Sequence, residues 1–212
     1  MPKKPLILIG GGGHCKSCIE VIESTDEWEI KGILDQNISE GELVLNYQVI
    51  GNDNKIDELK DDNYFLITVG QLKSAAIRQT IFDNLKSKNA RLATIISSKA
   101  IVSKYSCIGA GTIIHHACTI NAHASLGENN IVNTGAIIEH DVVIGNNNHI
   151  STHATLNGDV VIGDACFIGS GAIISNGINI TSQVVVGAGS VVIKNIEEAG
   201  TYAGSPAKKI GK

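Results

Sequence analysis

The feature that most constrains this chain is an aliphatic residue at every sixth position from Ile96 to Val192. The period holds without a slip, and its members are Ile96, Val102, Ile108, Ile114, Ile120, Leu126, Val132, Ile138, Ile144, Ile150, Leu156, Ile162, Ile168, Ile174, Ile180, Val186 and Val192. A helical period of about 3.6 would scatter these positions around the helix axis, and an alternating strand has no six-residue repeat. The pattern therefore predicts a parallel β-helix built of hexapeptide repeats.

The residue four places after each aliphatic position is usually small or aliphatic, as at Ala124, Ala136 and Val160. Each short strand would then carry one aliphatic side chain inward, and a tight turn would lead to the next face. One coil cannot bury its own interior, so coils must stack at about 4.8 Å to join these side chains into columns. Cys118 and Cys166 occupy the small position, which predicts that both are core residues.

The residues before the repeat alternate apolar strands with helical patterns. Predicted strands cover Leu6–Ile9, Glu29–Leu34 and Asn63–Val69, and predicted helices cover Lys16–Glu23 and about Gln71–Lys88. This alternation indicates a small parallel α/β domain. We therefore expect two domains, residues 1–94 and 95–212, with the boundary near Leu92–Ile96.

A glycine-rich loop, Gly10–Gly13, joins the first predicted strand to the first helix. Free N–H groups and the helix dipole at such a point suit an anion such as a phosphate. The dinucleotide fingerprint G-x-G-x-x-G is not met, because Cys15 stands where the third glycine is required. Asp35, at the end of the second strand, is placed to read a ribose or a base, although an ordinary turn residue explains it equally well.

Composition excludes several classes of function. The net charge is −4, and only Arg78 and Arg91 are arginine, so no nucleic-acid footprint is expected. The apolar run at Leu6–Ile9 is too short for a signal peptide or a membrane span, and five cysteines without framework spacing favour the cytoplasm. A lone Cys15-x-x-Cys18 pair is weak evidence for metal, so no metal site is predicted.

One pair of hexads carries residues suited to catalysis. His140 stands between Glu139 and Asp141, and His149 follows nine residues later. A neutral imidazole held by a carboxylate can act as a general base. The alternative is a histidine on a solvated face, since the chain has others without a flanking carboxylate: His115, His116, His123 and His153.

Three motifs resemble the bacterial sugar O-/N-acyltransferase family, which includes sialic acid O-acetyltransferases and UDP-4-amino-sugar N-acetyltransferases. The motifs are the GGGGH-x-K opening from Gly10, the I-E-H-D-x-x-I-G run from Ile138 with its later histidine, and the tail Ala203–Lys208. The resemblance implies a left-handed β-helix with three hexads per coil. It also implies acetyl-CoA as co-substrate, without a metal.

The resemblance assigns roles to individual residues. His140 matches the family's general base, and Asp141 matches the carboxylate that raises its basicity. The matched acetyl-CoA contacts are His149 at the thioester, Gly158 beside the pantetheine arm, Ser170 and Ala188. The matched substrate contacts are Gly12, Gly13 and His14 in the nucleotide-sugar loop, Asp35 and Gln36 at the nucleoside, and Gly70 after the third strand. Many relatives have an acidic residue where Gln36 stands, so the nucleoside stays open.

The leading hypothesis is an acetyl-CoA-dependent N-acetyltransferase of a UDP-linked 4-amino sugar in bacterial glycan biosynthesis. The alternatives are a sugar O-acetyltransferase of the sialic acid type and a non-catalytic β-helix protein that binds nucleotide sugars. Because the unbroken hexads leave no extruded loop, we expect that a single prism offers no cleft and that a homotrimer builds its sites between subunits. The segment after Lys194 is expected to cap the open end of the prism and to help bind coenzyme A.

Overall fold

The N-terminal part of the chain forms a six-stranded sheet with helices against it. The computed structural model describes residues 2–72 and 74–211. The elements are β1 (Lys4–Ile9), α1 (Gly13–Glu23), β2 (Trp28–Leu34), β3 (Leu43–Val44), β4 (Tyr47–Gly51), a 3₁₀ turn (Asp53–Lys55), α2 (Ile56–Leu59), β5 (Tyr64–Ile67), α3 (Ala76–Ser87) and β6 (Arg91–Leu92). The strand order is β3-β4-β2-β1-β5-β6, and every pair except β3 with β4 is parallel.

The structure confirms the three predicted strands and both helices but moves some of their bounds. Helix α1 begins at Gly13 rather than Lys16, and α3 begins at Ala76 rather than near Gln71. The later start of α3 has a physical cause, because the Gln71 side chain turns inward to hydrogen-bond two carbonyl groups, of Asn147 and Cys166. The short β3–β4 hairpin was not predicted, since its strands are brief and carry no clear alternation.

The hexapeptide region forms the predicted left-handed parallel β-helix. Its strands stack at intervals of one coil, as where Ile113 pairs with Ile131 and Ile131 with His149. The first face contains Ile95–Ile96, Ile113–Ile114, Ile131–Val132, His149–Ile150, Phe167–Ile168 and Val184–Val186. The second contains Ile101–Val102, Thr119–Ile120, Ile137–Ile138, Thr155–Leu156, Ile173–Ile174 and Val191–Val192. The third contains Cys107–Ile108, Ser125–Leu126, Val143–Ile144, Val161–Ile162 and Asn179–Ile180.

The interior of the prism is made of the predicted aliphatic columns. All the sixth-position residues from Ile114 to Val192 are buried in one cluster, and Cys118 and Cys166 lie among them. The first three, Ile96, Val102 and Ile108, are not fully buried, because they lie on the terminal coil. Many turns place one non-glycine residue in the left-handed region, for example Asp141 with φ +60°. Asp and Asn tolerate this conformation better than most residues.

The three faces of the prism have different surroundings. Ile95, Ile113 and Ile131 point outward from the first face and are buried with Cys18 and Ile19 of α1. The N-terminal domain therefore covers the first face. At the far end, the hairpin of Gly200–Gly204 and Ala207–Ile210 extends this face, and Tyr202 packs against the core. In the described part of the chain, no helix has the length and apolar character needed to cross a membrane.

Candidate active site between the two domains

A pocket of about 800 Å³ lies between the N-terminal domain and the covered face of the β-helix. Its walls are the glycine loop, the ends of β2 and β5, the start of α3, and three β-helix residues, Asn133, His149 and Ser151. The expectation that one chain offers no cleft is therefore wrong. The prism faces are flat as expected, but the N-terminal domain supplies the second wall.

The glycine loop presents an open helix N-terminus to this pocket. Gly12 precedes α1 with extended backbone, and within the described residues no side chain caps the helix. A Cβ added at Gly12 or Gly13 would have no atom within 4 Å, so the space before the helix is free. Free backbone N–H groups at a helix start attract an anion. Gly10 is different, because its φ of +102° and its close approach to Val69 require glycine for the fold.

The Asp35 carboxylate lines the pocket and also organises the loop. Its Oδ2 accepts from the Gly11 N–H at 2.6 Å, while Oδ1 accepts from the N–H groups of Asn37 at 2.7 Å and Ile38 at 3.0 Å. Asp35 is therefore a turn residue, as one of the two interpretations predicted, and it also lies on the pocket wall. Gln36, beside it, is exposed and also lines the pocket.

His149 is held in one tautomer by Gln71. Its Nδ1 lies 2.6 Å from the Gln71 backbone oxygen, and a carbonyl only accepts, so Nδ1 carries the proton. Its Nε2 then accepts from Asn133 Nδ2 at 3.2 Å. Burial lowers the pKa of His149 to about 4, so the ring is neutral at pH 7. This neutral ring offers no N–H to an oxyanion, but Asn133 beside it carries amide donors.

His14 lies on the opposite pocket wall with Gly70 above its Cβ. Its ring centroid is 6.3 Å from that of His149. The pKa of His14 is lowered to about 3, mainly by burial and next by the neighbouring His115. Its contribution to substrate binding would therefore be that of a neutral imidazole rather than a positive charge.

His140 lies away from this pocket, at the corner between the second and third faces. Its Nδ1 is 2.8 Å from Asp141 Oδ2, and this hydrogen bond is the main reason that the pKa of His140 is raised above 6.5. Both side chains are about half exposed. Glu139, the other flanking carboxylate, instead accepts from Asn121 Nδ2 at 2.7 Å. Asp141 alone therefore orients the imidazole.

The remaining predicted acetyl-CoA contacts fall at two different corners. Gly158 lies one coil beyond His140, where an added Cβ would be 2.7 Å from the His140 ring. Ser170 lies at the corner between the first and second faces, where its Oγ is 2.9 Å from Ser151 Oγ at the pocket wall. Ala188 lies one coil further along that corner and is exposed.

Comparisons with known proteins agree with this architecture. Residues 5–85 match the family model described as the PglD N-terminal domain. The acetyltransferase domain of PglB from Neisseria gonorrhoeae is 30% identical with a TM-score of 0.90, over 98% of this chain and 100% of that one. Perosamine N-acetyltransferase from Caulobacter crescentus, crystallised with CoA and GDP-perosamine, is 28% identical with a TM-score of 0.91, over 98% and 97%. A search of curated proteins gave no significant match.

The chain belongs to the bacterial sugar acyltransferase family with a left-handed β-helix. This acyltransferase uses acetyl-CoA as its co-substrate. WeeI from Acinetobacter baumannii, 19% identical with a TM-score of 0.86 over 98% of this chain and 100% of that one, shares the fold.

The acyltransferase has pocket residues that the sequence patterns did not reveal. Asn133 and Ser151 occupy the same hexad position in successive coils, so an alignment of coils would have placed them side by side. Gln71 had no such signal, because its role depends on contacts with distant residues. Within one chain, the structure gathers the predicted nucleotide-sugar residues and His149, but leaves His140, Asp141 and Gly158 at another corner.

Proposed function

We propose that this chain is an acetyl-CoA-dependent N-acetyltransferase that acts on the amino group of a UDP-linked 4-amino sugar in bacterial glycan biosynthesis. The observation that carries the proposal is the His140–Asp141 pair, an exposed imidazole held by a carboxylate, with Gly158 packed closely beside the ring. The open N-terminus of α1 supports a phosphate-bearing acceptor. The likeness to an enzyme named for N-acetylation of perosamine supports an amino group as the acceptor.

In the proposed reaction, His140 works through Nε2, because its Nδ1–H is directed at Asp141. Nε2 accepts a proton from the sugar amine as the nitrogen bonds to the acetyl carbonyl carbon. The bond between that carbon and sulfur then breaks, and His140 returns the proton to the thiolate of coenzyme A. Asp141 stabilises the imidazolium that exists between these two transfers.

The separation of His140 from the pocket supports a site that is shared by two chains. The pocket opens on the first face and on the corner between the first and second faces. His140 lies at the opposite edge of the second face, where that face meets the third. The rigid prism cannot bring these corners together. We propose that a neighbouring subunit places its His140 at the mouth of this pocket, in a homotrimer with three equivalent sites.

Exposed apolar columns support that assembly. Ile101, Ile137 and Ile173 project from the second face, and Val143 and Val161 project from the third. These two faces meet at the corner that carries His140, and the N-terminal domain does not cover them. Exposed apolar side chains that recur along two adjoining faces are typical of an interface between proteins.

The five cysteines are all free thiols in the structure, which supports the proposal that the enzyme works in the cytoplasm. The UDP assignment rests on the family resemblance, while a structural neighbour was crystallised with GDP-perosamine. Both carboxylate oxygens of Asp35 accept hydrogen bonds from backbone N–H groups. The Gln36 side chain is therefore more available to hydrogen-bond the base of the nucleotide.

The direct test is release of the coenzyme A thiol from acetyl-CoA in the presence of UDP-, GDP- and dTDP-linked 4-amino sugars and CMP-sialic acid. The proposal expects turnover with an amino sugar and the highest kcat/KM with the UDP form. A preference for GDP or dTDP would correct the nucleotide only. Turnover with CMP-sialic acid alone, which would accept the acetyl group on a hydroxyl, would favour O-acetylation. Saturable binding of a nucleotide sugar without turnover would favour a binding protein.

A further inference from the structure

A second group of chemically capable side chains lies behind the pocket wall, at the junction of the two domains. His14 and Cys18 lie one turn apart on α1 and so share one face of the helix. His115, which follows the strand Ile113–Ile114, faces them from the β-helix. One potential ligand atom from each of the three side chains lies within 4.8 Å of the other two.

Two of these side chains have buried nitrogen atoms without partners. Within residues 2–72 and 74–211, Nε2 of His14 and Nε2 of His115 make no hydrogen bond, and both atoms are inaccessible to solvent. The His115 side chain as a whole is 1% exposed, and Cys18 is fully buried. Buried polar atoms normally find a hydrogen-bond partner, because leaving one unpaired is energetically costly. These two unpaired atoms belong to side chains that lie together with the Cys18 thiol, which points to a ligand site.

We propose that His14, Cys18 and His115 form a binding site for a zinc(II) ion that links α1 to the β-helix. Two imidazole nitrogens and one thiolate form a donor set that zinc prefers over magnesium or calcium, which take oxygen ligands. Tetrahedral zinc needs ligand atoms about 3.5 Å apart, so the three side chains must close by about 1 Å. Binding releases the thiol proton of Cys18 to solvent.

The surroundings of the group bear on this role. Burial raises the pKa of the Cys18 thiol, and the fully buried Arg78 guanidinium nearby opposes that shift, so the thiol proton leaves only when the metal replaces it. His14 also lines the nucleotide pocket, so this group connects the pocket wall to the β-helix. The metal would then hold the pocket wall at a fixed distance from the β-helix.

This site could not be found from the sequence. Cys15-x-x-Cys18 beside His14 offered no second ligand pair, and Cys15 is not a member of the group. The third ligand, His115, is distant in sequence and reaches α1 only because the first face packs against that helix.

The test uses full-length protein without a polyhistidine tag, freed of metal by a chelator and titrated with Zn²⁺ by calorimetry. A parallel titration with Co²⁺ reports the ligands, because a thiolate ligand gives a charge-transfer band in the near ultraviolet. We expect one equivalent of either metal per chain and the charge-transfer band with Co²⁺. Cys18→Ser should abolish the band and weaken zinc binding about 100-fold or more.

Matched controls separate this group from surface ligands. Cys107→Ser removes the exposed thiol and His153→Gln removes a histidine outside the group, and both should keep full zinc binding and the cobalt band. Retention of the band in Cys18→Ser, or its loss in Cys107→Ser, would overturn the assignment. The unaltered protein decides the question even if Cys18→Ser fails to fold, since the absence of stoichiometric zinc binding by it would by itself refute the site.

Discussion

The chemistry of His140 depends on one neighbour, Asp141, whose hydrogen bond raises the pKa of the imidazole above 6.5. The neutral ring is the active form, so kcat/KM should increase as the pH rises through that raised pKa. Asp141→Asn removes the main cause of the shift, and the acidic limb of the profile should move to lower pH. The substrate amine titrates identically in both enzymes, so a pH–rate comparison isolates His140. An unmoved limb would mean that another group is the base.

His140→Ala should lower kcat by about 10²-fold or more, with little change in the unfolding midpoint, because the side chain is exposed. Asp141→Asn should cost less, since the base itself remains. His153→Ala is the matched control and should leave kcat unchanged. If Asp141→Asn lowers kcat more than His140→Ala does, His140 is not the general base.

The glycine loop offers a pair of substitutions with opposite consequences. Gly13 has free space at its Cβ position and no positive φ, so Gly13→Val should preserve the fold and obstruct the helix N-terminus. The dissociation constant of the nucleotide sugar should rise by about tenfold or more, with acetyl-CoA binding unchanged. Titration calorimetry with each ligand measures both effects.

Gly10→Ala is the contrasting variant. Its Cβ would lie 2.5 Å from Val69 Cγ2, and its φ of +102° disfavours any side chain, so it should lower the unfolding midpoint. Gly13→Val could instead lower the affinities for the nucleotide sugar and acetyl-CoA equally, or destabilise the protein as Gly10→Ala does. Either result would show that the loop has a structural role and no specific role in nucleotide binding.

At the scale of elements, periodicity determined what could be predicted. The hexad register gave the correct inward residues from Ile114 to Val192, because burial in a stacked coil depends only on position in the repeat. The start of α3 was misplaced, because residues 71–75 contain no helix breaker. The turn of Gln71 toward Asn147 is a tertiary contact with no local signature.

Gly158 shows how stacking of coils shapes the corner that carries His140. A Cβ there would lie 2.8 Å from His140 Nε2, and this exposed ring can move aside at little energetic cost. Gly158→Ala should therefore lower kcat by displacing the base, while the unfolding midpoint stays within about 2 °C. Kinetics and thermal melting on the same preparation check this. Unchanged kcat would show that the ring position is not critical.

Neighbouring residues on one strand separate the core from the assembly surface. Ile138 points inward and is fully buried, so Ile138→Ala should cost about 2–5 kcal/mol of unfolding free energy in urea. Ile137 points outward and is 36% exposed, so Ile137→Ser should leave the fold of each chain intact and weaken the trimer. Sedimentation across a dilution series measures the assembly. A trimer unaffected by Ile137→Ser would place the interface elsewhere.

At the scale of the whole molecule, the sequence predicted an α/β part followed by a β-helix, but it did not predict how the two parts meet. Outward residues of the first face, such as Ile113 and Ile131, look the same in sequence as the exposed Ile137 and Ile173 of the second. Only the structure shows which face the N-terminal domain covers. That contact creates the pocket and leaves His140 and Asp141, the proposed catalytic pair, on the far side of the second face.

The central proposal is that each active site combines the pocket of one chain with His140 of another. The most direct measurement is the activity of co-expressed His140→Ala and Gly13→Val chains, each of which is nearly inactive alone at low substrate concentration. In randomly mixed trimers, about one quarter of the sites should pair an intact pocket with an intact His140, so activity should recover to about that fraction of wild type. Mixed trimers no more active than the two parents, or a fully active monomer, would contradict the shared site.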